Sequence, residues 1–203
     1  MKKNKISKNW INKQRRDIYV RKSKIEGYRS RAVYKLEEID NKFNIFKNGS
    51  SLIDLVPPPG SWSQLANKKI KNNKILSIDL KEMVKIGSIK QIVGDFTEEK
   101  IKKQIKDYFG QKVDIVLSDM AVNTTGNKDI DSFVTCELAM DAMNFSKKIL
   151  KNNGKFVSKI FMGSTFKEVI FESKKLFKSV NIYKPPSSRK DSKENFIICQ
   201  NLR

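Results

Sequence analysis

The stretch LIDLVPPPGSWSQ, residues 52–64, decides which fold this sequence can adopt. Three of the four residues at 52–55 are Leu or Ile, which is typical of a buried strand, and a helical pattern begins after Gly60. A strand, a tight turn and a helix make up the unit with which α/β domains bind nucleotide-type cofactors. Three consecutive prolines occupy the turn at 57–59, so the stretch also raises the question of how well it could hold such a cofactor.

Strand and helix patterns alternate along the chain outside this stretch. We predict strands at 51–56, 74–79, 89–93, 113–118, 154–161, 178–183 and 194–201. We predict helices at 30–43, where Ser30 can cap an apolar stripe of Ala32, Leu36, Ile39 and Phe43, and near 61–70, 97–108, 131–151 and 164–176. This order indicates one doubly wound α/β domain with a mostly parallel, seven-stranded sheet. No helix separates the last two strands, so we expect the last strand to be antiparallel.

The charge of the chain points to a polyanionic partner. Its 203 residues include 42 Lys and Arg against 22 Asp and Glu, which gives a formal net charge of +20. Nucleic acid is the first partner that such a surplus suggests and an anionic membrane the second, although a lysine-rich composition bias is an alternative explanation. Thirteen of the first 35 residues are Lys or Arg and are interleaved with aromatic residues. We therefore predict a basic RNA-binding arm at 1–28 and a folded domain at 29–203, with a solvated tail as the alternative for the arm.

Several classes of protein are excluded by composition. The chain contains no histidine, which rules out Ser-His-Asp and Cys-His catalysis and metal sites with histidine ligands. Its two cysteines, Cys136 and Cys199, form no CxxC motif, and we expect both to be small core residues in a reducing, cytoplasmic setting. No apolar run approaches the ~20 residues that a membrane-spanning helix needs. No large apolar surface stripe is left over, so we expect a monomer.

Four aspartates lie at the ends of successive predicted strands. Asp79 ends the second strand, where an acid can accept hydrogen bonds from a ribose diol. Asp95 follows the third strand and could bind an adenine amino group or cap the next helix. Asp54 and Asp119 end the first and fourth strands at the edge where open α/β sheets bind ligands. Together they predict a site for a nucleoside-containing cofactor.

Lys159 is the most informative single residue. It lies within GKFVSKIF, a run that otherwise has the pattern of a buried strand. A buried lysine must be paired or must lose its proton more readily than a free lysine, and it can then act as a general base toward a hydroxyl group. The alternative is a lysine that extends from the strand end to solvent. Lys35 and Glu194 carry no such signal individually, since a surface helix and an edge strand would explain them.

Taken together, these motifs resemble the FtsJ (RrmJ, RlmE) family of S-adenosylmethionine-dependent ribosomal RNA 2′-O-methyltransferases. The resemblance extends from about residue 8 to the C-terminus. It is carried by GYRSRAVYKLEEID, LIDL, PGSWSQ, SIDL, VGDF, LSDMAVNTTG, GKFVSKIFMG and PPSSRKDSKENFII. It implies a Rossmann-like S-adenosylmethionine methyltransferase domain that acts on a uridine ribose in large-subunit ribosomal RNA, with the large ribosomal subunit as its partner.

The resemblance also implies roles for individual residues. Lys159 would take the proton from the ribose 2′-hydroxyl, and Asp119 would orient it. Lys35 would lower the pKa of Lys159 and help to place the phosphate or the 2′-oxygen, while Glu194 would balance the charge and position the ribose. Cofactor contacts would fall on Gly60, Trp62, Asp79, Asp95 and Asp119. No metal is implied.

The cofactor turn departs from the family pattern, which reads approximately D-L-G-x-x-P-G-G-W-S. Val56 replaces a glycine, and Pro57 and Pro58 replace small residues. Valine is an outlier at positive φ, and each proline removes a backbone N–H group. We expect these changes to weaken cofactor binding by about 2–6 kcal/mol. The alternative function is therefore a catalytically impaired RNA-binding or ribosome-assembly factor. A nucleotide-dependent oxidoreductase is disfavoured because the chain lacks G-x-G-x-x-G.

Overall fold

The computed structural model describes residues 15–55, 59–120, 125 and 127–203. Over these residues the chain forms one seven-stranded sheet with helices on both faces. The strands are β1 (Ser51–Leu55), β2 (Lys74–Asp79), β3 (Lys90–Val93), β4 (Val113–Ser118), β5 (Leu150–Phe161), β6 (Phe177–Tyr183) and β7 (Glu194–Leu202). The helices are α1 (Ile18–Ile25), α2 (Ala32–Phe43), α3 (Ser61–Lys69), α4 (Glu99–Phe109), α5 (Lys128–Ile149) and α6 (Phe166–Leu176).

The strand order, β3-β2-β1-β4-β5-β7-β6, confirms the predicted doubly wound sheet. Strands β1 to β5 pair in parallel, while β7 is antiparallel to both β5 and β6. The chain returns directly from β6 to β7 without a crossover helix, so an antiparallel last strand is required. Chain direction across the sheet switches between β1 and β4, which opens a crevice at the carboxyl ends of these two strands.

The observed boundaries differ from the predicted ones mainly around β5. The sequence predicts a helix at 131–151 and a strand at 154–161, but α5 ends at Ile149 and β5 begins at Leu150. The two elements follow each other without a loop because Leu150 already has an extended backbone and pairs with Val113 of β4. Residues 152–153, which the predictions left between the two elements, therefore belong to the first part of a long strand.

Two apolar clusters cover the two faces of the sheet. One is built with α4, α5 and α6, and the other with α2 and α3. The predicted stripe on α2 is confirmed, because Leu36 and Ile39 are fully buried and Ala32 and Phe43 pack at the edge of the second cluster. Ser30 lies just before the helix and accepts a hydrogen bond from the Ala32 N–H at 3.3 Å.

Helix α1 was not predicted from the sequence. Asp17 caps it by accepting a hydrogen bond from the Tyr19 N–H at 3.0 Å, and the Tyr19 ring packs 5.4 Å from the Tyr34 ring of α2. The helix lacks an apolar stripe, since Ile18 and Ile25 are 64% and 86% exposed. The part of the predicted arm from residue 15 onward is therefore packed on the domain, whereas residues 1–14 lie outside the described residues.

Both cysteines are free and buried, as predicted. Burial raises the pKa of the Cys199 thiol to about 12. In the part of the chain that the structure describes, no helix combines the length and apolar character needed to cross a membrane.

Candidate active site

Lys159 lies near the carboxyl end of β5 and is only 8% exposed. Its Nζ atom donates hydrogen bonds to two oxygens of Asp119, the side-chain Oδ1 at 3.0 Å and the main-chain carbonyl at 2.7 Å. The contact forms because β4 and β5 are parallel neighbours, so the residue after β4 meets the last residues of β5. The lysine is therefore buried and paired, and it does not extend to solvent.

A second ion pair joins Lys35 of α2 to Glu194, the first residue of β7. The Lys35 Nζ atom donates to Glu194 Oε2 at 2.6 Å, and Ser188 Oγ donates to Glu194 Oε1 at 2.8 Å. Both side chains of the pair are mostly buried. Glu194 thus neutralises Lys35 and is itself fixed by a hydroxyl group, so this pair has little freedom to move.

The β5–β7 register brings the two ion pairs to one face of the sheet. Lys159 of β5 lies directly opposite Phe196 of β7. Glu194 lies two residues before Phe196 on β7, so its side chain faces the same side of the sheet as that of Lys159. Such diagonal neighbours are about 7–8 Å apart. The Lys35 Nζ atom also lies 5.8 Å from the Phe196 ring centre. The structure therefore brings together all four residues that the sequence suggested as a catalytic set.

A cleft of about 180 Å³ opens beside the second ion pair and is lined by Arg31, Lys35, Arg189, Ser192 and Glu194. Arg31 bonds to Asp17 and to the Ser187 carbonyl. Burial and the neighbouring Arg189 lower the pKa of the Arg31 guanidinium. Three cations and one carboxylate line this small cleft, so its lining carries a net positive charge that suits an anionic group. Neither arginine was predicted as a site residue, although both lie in the segments that carry the family resemblance.

Gly60 occupies the turn into α3 with a left-handed backbone, φ +93°. A Cβ atom at this position would lie 2.6 Å from Ile86 Cδ1 and 2.9 Å from Met83 Sδ. The backbone conformation therefore favours glycine, and any other residue would also displace the ends of the Ile86 and Met83 side chains in the loop that follows β2. Residues 56–58 lie outside the described residues, so the predicted effect of Val56, Pro57 and Pro58 stays a prediction.

Trp62 is a core residue. Its indole is 2% exposed, donates a hydrogen bond to the Ala32 carbonyl at 2.9 Å and packs 5.7 Å from the Phe196 ring. The indole thus ties α3 to α2 beneath the site. A contact between Trp62 and a cofactor would have to use its backbone in the first turn of α3.

Asp79 and Asp95, the two other aspartates predicted to contact the cofactor, differ in burial. Asp79 ends β2, is 4% exposed, and accepts a hydrogen bond from the Lys81 N–H at 2.6 Å through Oδ1. Asp95 accepts from the N–H and the hydroxyl of Thr97 at 2.8 and 2.7 Å. Asp95 does not cap α4, because that helix begins at Glu99 with Glu98 at the cap position. The cap alternative for Asp95 is therefore wrong, and its carboxylate closes a local turn.

Asp54 is fully buried in β1. Its Oδ2 atom accepts a hydrogen bond from Ser63 Oγ at 2.6 Å, while no described residue bonds to its buried Oδ1 atom. Burial raises the pKa of the carboxyl group to about 7, and the nearby carboxylates of Asp119 and Asp79 add to this increase. The Asp54 Oδ1 atom, the turn at Gly60 and the Asp79 carboxylate together fit a ligand with hydroxyl or ammonium donors. No cluster of candidate metal ligands occurs among the described residues.

Comparisons with known proteins show which family the chain resembles. Residues 28–202 match the model of the FtsJ-like methyltransferase family. The chain is 62% identical over 203 residues to ribosomal RNA large subunit methyltransferase E of Pelagibacter ubique, with 100% of both chains covered. It is 44% identical to the Rickettsia akari protein of the same name, covering 97% of this chain and 89% of the relative. A crystal structure of a ribosomal RNA methyltransferase from Plasmodium falciparum superposes with a TM-score of 0.78 at 33% identity, over 86% of this chain and 98% of that one.

Proposed function

Since the chain belongs to the FtsJ-like methyltransferase family, we propose that it transfers a methyl group from S-adenosylmethionine to a ribose 2′-hydroxyl in ribosomal RNA. The proposed target is a uridine of the large subunit, as the sequence resemblance implies, and the proposed setting is the cytoplasm, with the protein acting as a monomer. The observation that carries the proposal is the Lys159–Asp119 pair at the crevice, with the Lys35–Glu194 pair on the same face.

The hydrogen bonds of Lys159 suit a general base. A neutral lysine amine has two N–H groups and one lone pair. The two oxygens of Asp119 can accept both N–H groups, which leaves the lone pair to accept the proton of the 2′-hydroxyl. The proton would pass from the ribose oxygen to Nζ as that oxygen bonds to the methyl carbon and the methyl–sulfur bond breaks, with the bonding electron pair left on sulfur. Asp119 then stabilises the resulting ammonium ion.

S-adenosylmethionine, when bound, supplies an electrophilic methyl group. We propose that Gly60, the backbone of Trp62, Asp79, Asp95 and Asp119 hold it. The donor and acceptor set supports this assignment, because Asp79 retains acceptor capacity for ribose hydroxyls beyond its bond to Lys81. The N–H groups of the first turn of α3 are not used by the helix itself.

The cationic cleft supports RNA as the substrate. Lys35, Arg31 and Arg189 lie beside the catalytic pairs and could bind the phosphate groups that flank the target ribose. A 2′-hydroxyl target restricts the reaction to RNA. We also propose that the basic segment at 1–28 adds phosphate contacts outside the domain at 29–203.

The general-base role is tested by replacing Lys159 with alanine and measuring methyl transfer from radiolabelled S-adenosylmethionine to unmethylated large ribosomal subunits. We expect a loss of about 10²- to 10⁴-fold, the contribution of a positioned base. Lys178→Ala is the matched control, because Lys178 is an exposed lysine on the far strand β6. Methylation by Lys159→Ala at the parental rate would rule out the proposed mechanism.

A catalytically impaired RNA-binding factor remains the second candidate, because Val56, Pro57 and Pro58 replace small residues in the cofactor turn. Calorimetric titration of S-adenosylmethionine into the natural chain and into a Val56→Gly, Pro57→Ala, Pro58→Ala variant separates the two. Comparable binding by both supports the enzyme. Binding by the variant alone supports the RNA-binding factor.

A further inference from the structure

Arg29 links the two loops that border the cofactor crevice. Its Nη1 atom donates to the Pro59 carbonyl at 3.1 Å and to the Val84 carbonyl at 2.7 Å. Its Nη2 atom donates to the Lys85 carbonyl at 3.0 Å. One guanidinium group therefore serves three backbone carbonyls from two segments of chain. Arg29 lies far from both segments in sequence, so these contacts exist only in the folded protein.

The two loops follow neighbouring strands. Pro59 belongs to the turn after β1, and Val84 and Lys85 belong to the loop after β2, the strand that ends at Asp79. The Arg29 guanidinium also lies beside Gly60, because a Cβ atom at Gly60 would be 3.4 Å from Nη1. The arginine thus lies within van der Waals range of the turn that Gly60 forms.

The main chain of Arg29 is also fixed to this region. The Arg29 N–H donates to Gln64 Oε1 of α3 at 2.9 Å, and Gln64 Nε2 donates to the Gly27 carbonyl at 3.3 Å. Gln64 thus fixes the backbone of Gly27 and Arg29 to the first turns of α3. These two residues lie on either side of the predicted end of the basic arm at residue 28.

The three prolines at 57–59 limit the hydrogen bonds that the turn after β1 can donate to the loop after β2. Prolines have no N–H group, so the turn has fewer donors with which to bond to neighbouring backbone. Arginine supplies five N–H donors in a rigid fork, whereas lysine supplies a single point charge that cannot span three carbonyls in the same way.

We propose that Arg29 is a positioning residue for cofactor binding, which holds the loops after β1 and β2 at the separation that the cofactor requires. This role rests on the proposed cofactor crevice. It assigns an arginine of a strongly basic region to the cofactor side of the protein, and not to contact with RNA phosphates.

Arg29→Lys distinguishes the two roles because it keeps the positive charge and loses the fork. Binding of S-adenosylhomocysteine is measured by calorimetry, and binding of a large-subunit rRNA fragment is measured at several salt concentrations. We expect the dissociation constant for S-adenosylhomocysteine to rise about 10- to 100-fold, which corresponds to the loss of one charged hydrogen bond. We expect the affinity for RNA to change by less than about 2-fold, because the charge that RNA would sense is unchanged.

Arg21→Ala is the matched comparison. Arg21 lies on α1 in the same basic region, is exposed, and has no side-chain hydrogen bond or ion pair with the part of the chain that the structure describes. We expect its affinity for S-adenosylhomocysteine to equal that of the natural chain. Hydrogen exchange of ligand-free protein gives a second readout, in which Arg29→Lys speeds exchange at 60–66 and 80–89 and Arg21→Ala does not.

Natural affinity for S-adenosylhomocysteine together with unchanged exchange in Arg29→Lys would overturn the positioning role and leave the proposed function intact. Reduced RNA affinity at unchanged cofactor affinity would assign Arg29 to RNA binding instead. A natural chain that binds no S-adenosylhomocysteine would overturn the proposed function and this role together.

Discussion

Asp54 is expected to make the protein less stable as the pH rises. Its carboxyl group is fully buried, and its pKa is raised from 3.8 to about 7 in the folded state. Below pH 3.8 the group is protonated in both the folded and the unfolded state, so it costs nothing. Between the two pKa values the unfolded state releases the proton while the folded state retains it, and the free energy of unfolding falls. Above about pH 7 the loss is complete.

The magnitude follows from the size of the pKa change. A difference of about three pKa units at about 1.4 kcal/mol each corresponds to roughly 4 kcal/mol, of which about 3–4 kcal/mol falls between pH 4 and pH 8. Asp54→Asn removes the titrating group, and the amide can still accept the hydrogen bond from Ser63 Oγ. Relative to this variant, the natural chain should lose about 3–4 kcal/mol over that pH range.

Urea unfolding at pH values from 4 to 8 measures this difference directly, because subtracting the Asp54→Asn curve removes the contributions of the other carboxyl groups. Ser63→Ala is a second probe. The Ser63 hydrogen bonds lower the pKa of Asp54, so their partial loss should move the pH-dependent decrease to higher pH. Parallel stability curves for the natural chain and Asp54→Asn would show that Asp54 is ionised in the folded protein, and would refute the argument from burial.

Three other predictions concern the site and the arm. Gly60→Ala should lower stability by about 1–3 kcal/mol in thermal unfolding and weaken S-adenosylmethionine binding in titration, because φ is +93° and Ile86 Cδ1 would lie 2.6 Å from the new Cβ. Glu194→Gln should cost about 3 kcal/mol in urea unfolding by leaving Lys35 unneutralised, and a double variant with Lys35→Met should recover part of that loss. Residues 1–14 contain five lysines, and their deletion should reduce the magnitude of the slope of log K for RNA binding against log salt concentration by up to about 3.5. An unchanged slope would favour the solvated-tail alternative.

Local patterns were enough to predict most secondary structure. The strands are short apolar runs and α2 carries a clear stripe, so periodicity located them within a few residues. Helix α1 was not predicted because its two isoleucines are exposed to solvent and form no apolar stripe. The helix is stabilised by the Asp17 cap and by contacts with α2. The start of β5 was not predicted because polar residues follow Leu150, which pairs with Val113 of β4, and regular pairing with β4 resumes only at Lys155.

The candidate site residues were proposed from the family resemblance and stay predictions, whereas most of their contacts could not be predicted from the sequence. The family resemblance identified Lys159, Asp119, Lys35 and Glu194. It also suggested Trp62 as a cofactor contact, whereas the indole is packed in the core. Burial of an aromatic residue near a ligand site depends on which helix packs against it, and one sequence contains no direct signal for that.

Local pattern and composition were enough to predict the alternation of strands and helices, the antiparallel last strand, the strong positive charge and the residue types available for catalysis. The pairing of charged side chains, in contrast, depends on the folded structure. Lys35 and Glu194 are 159 positions apart, and Arg29 and Lys85 are 56 apart. Such contacts are set by strand register and by the packing of helices on the sheet, and both arise only when the whole core forms.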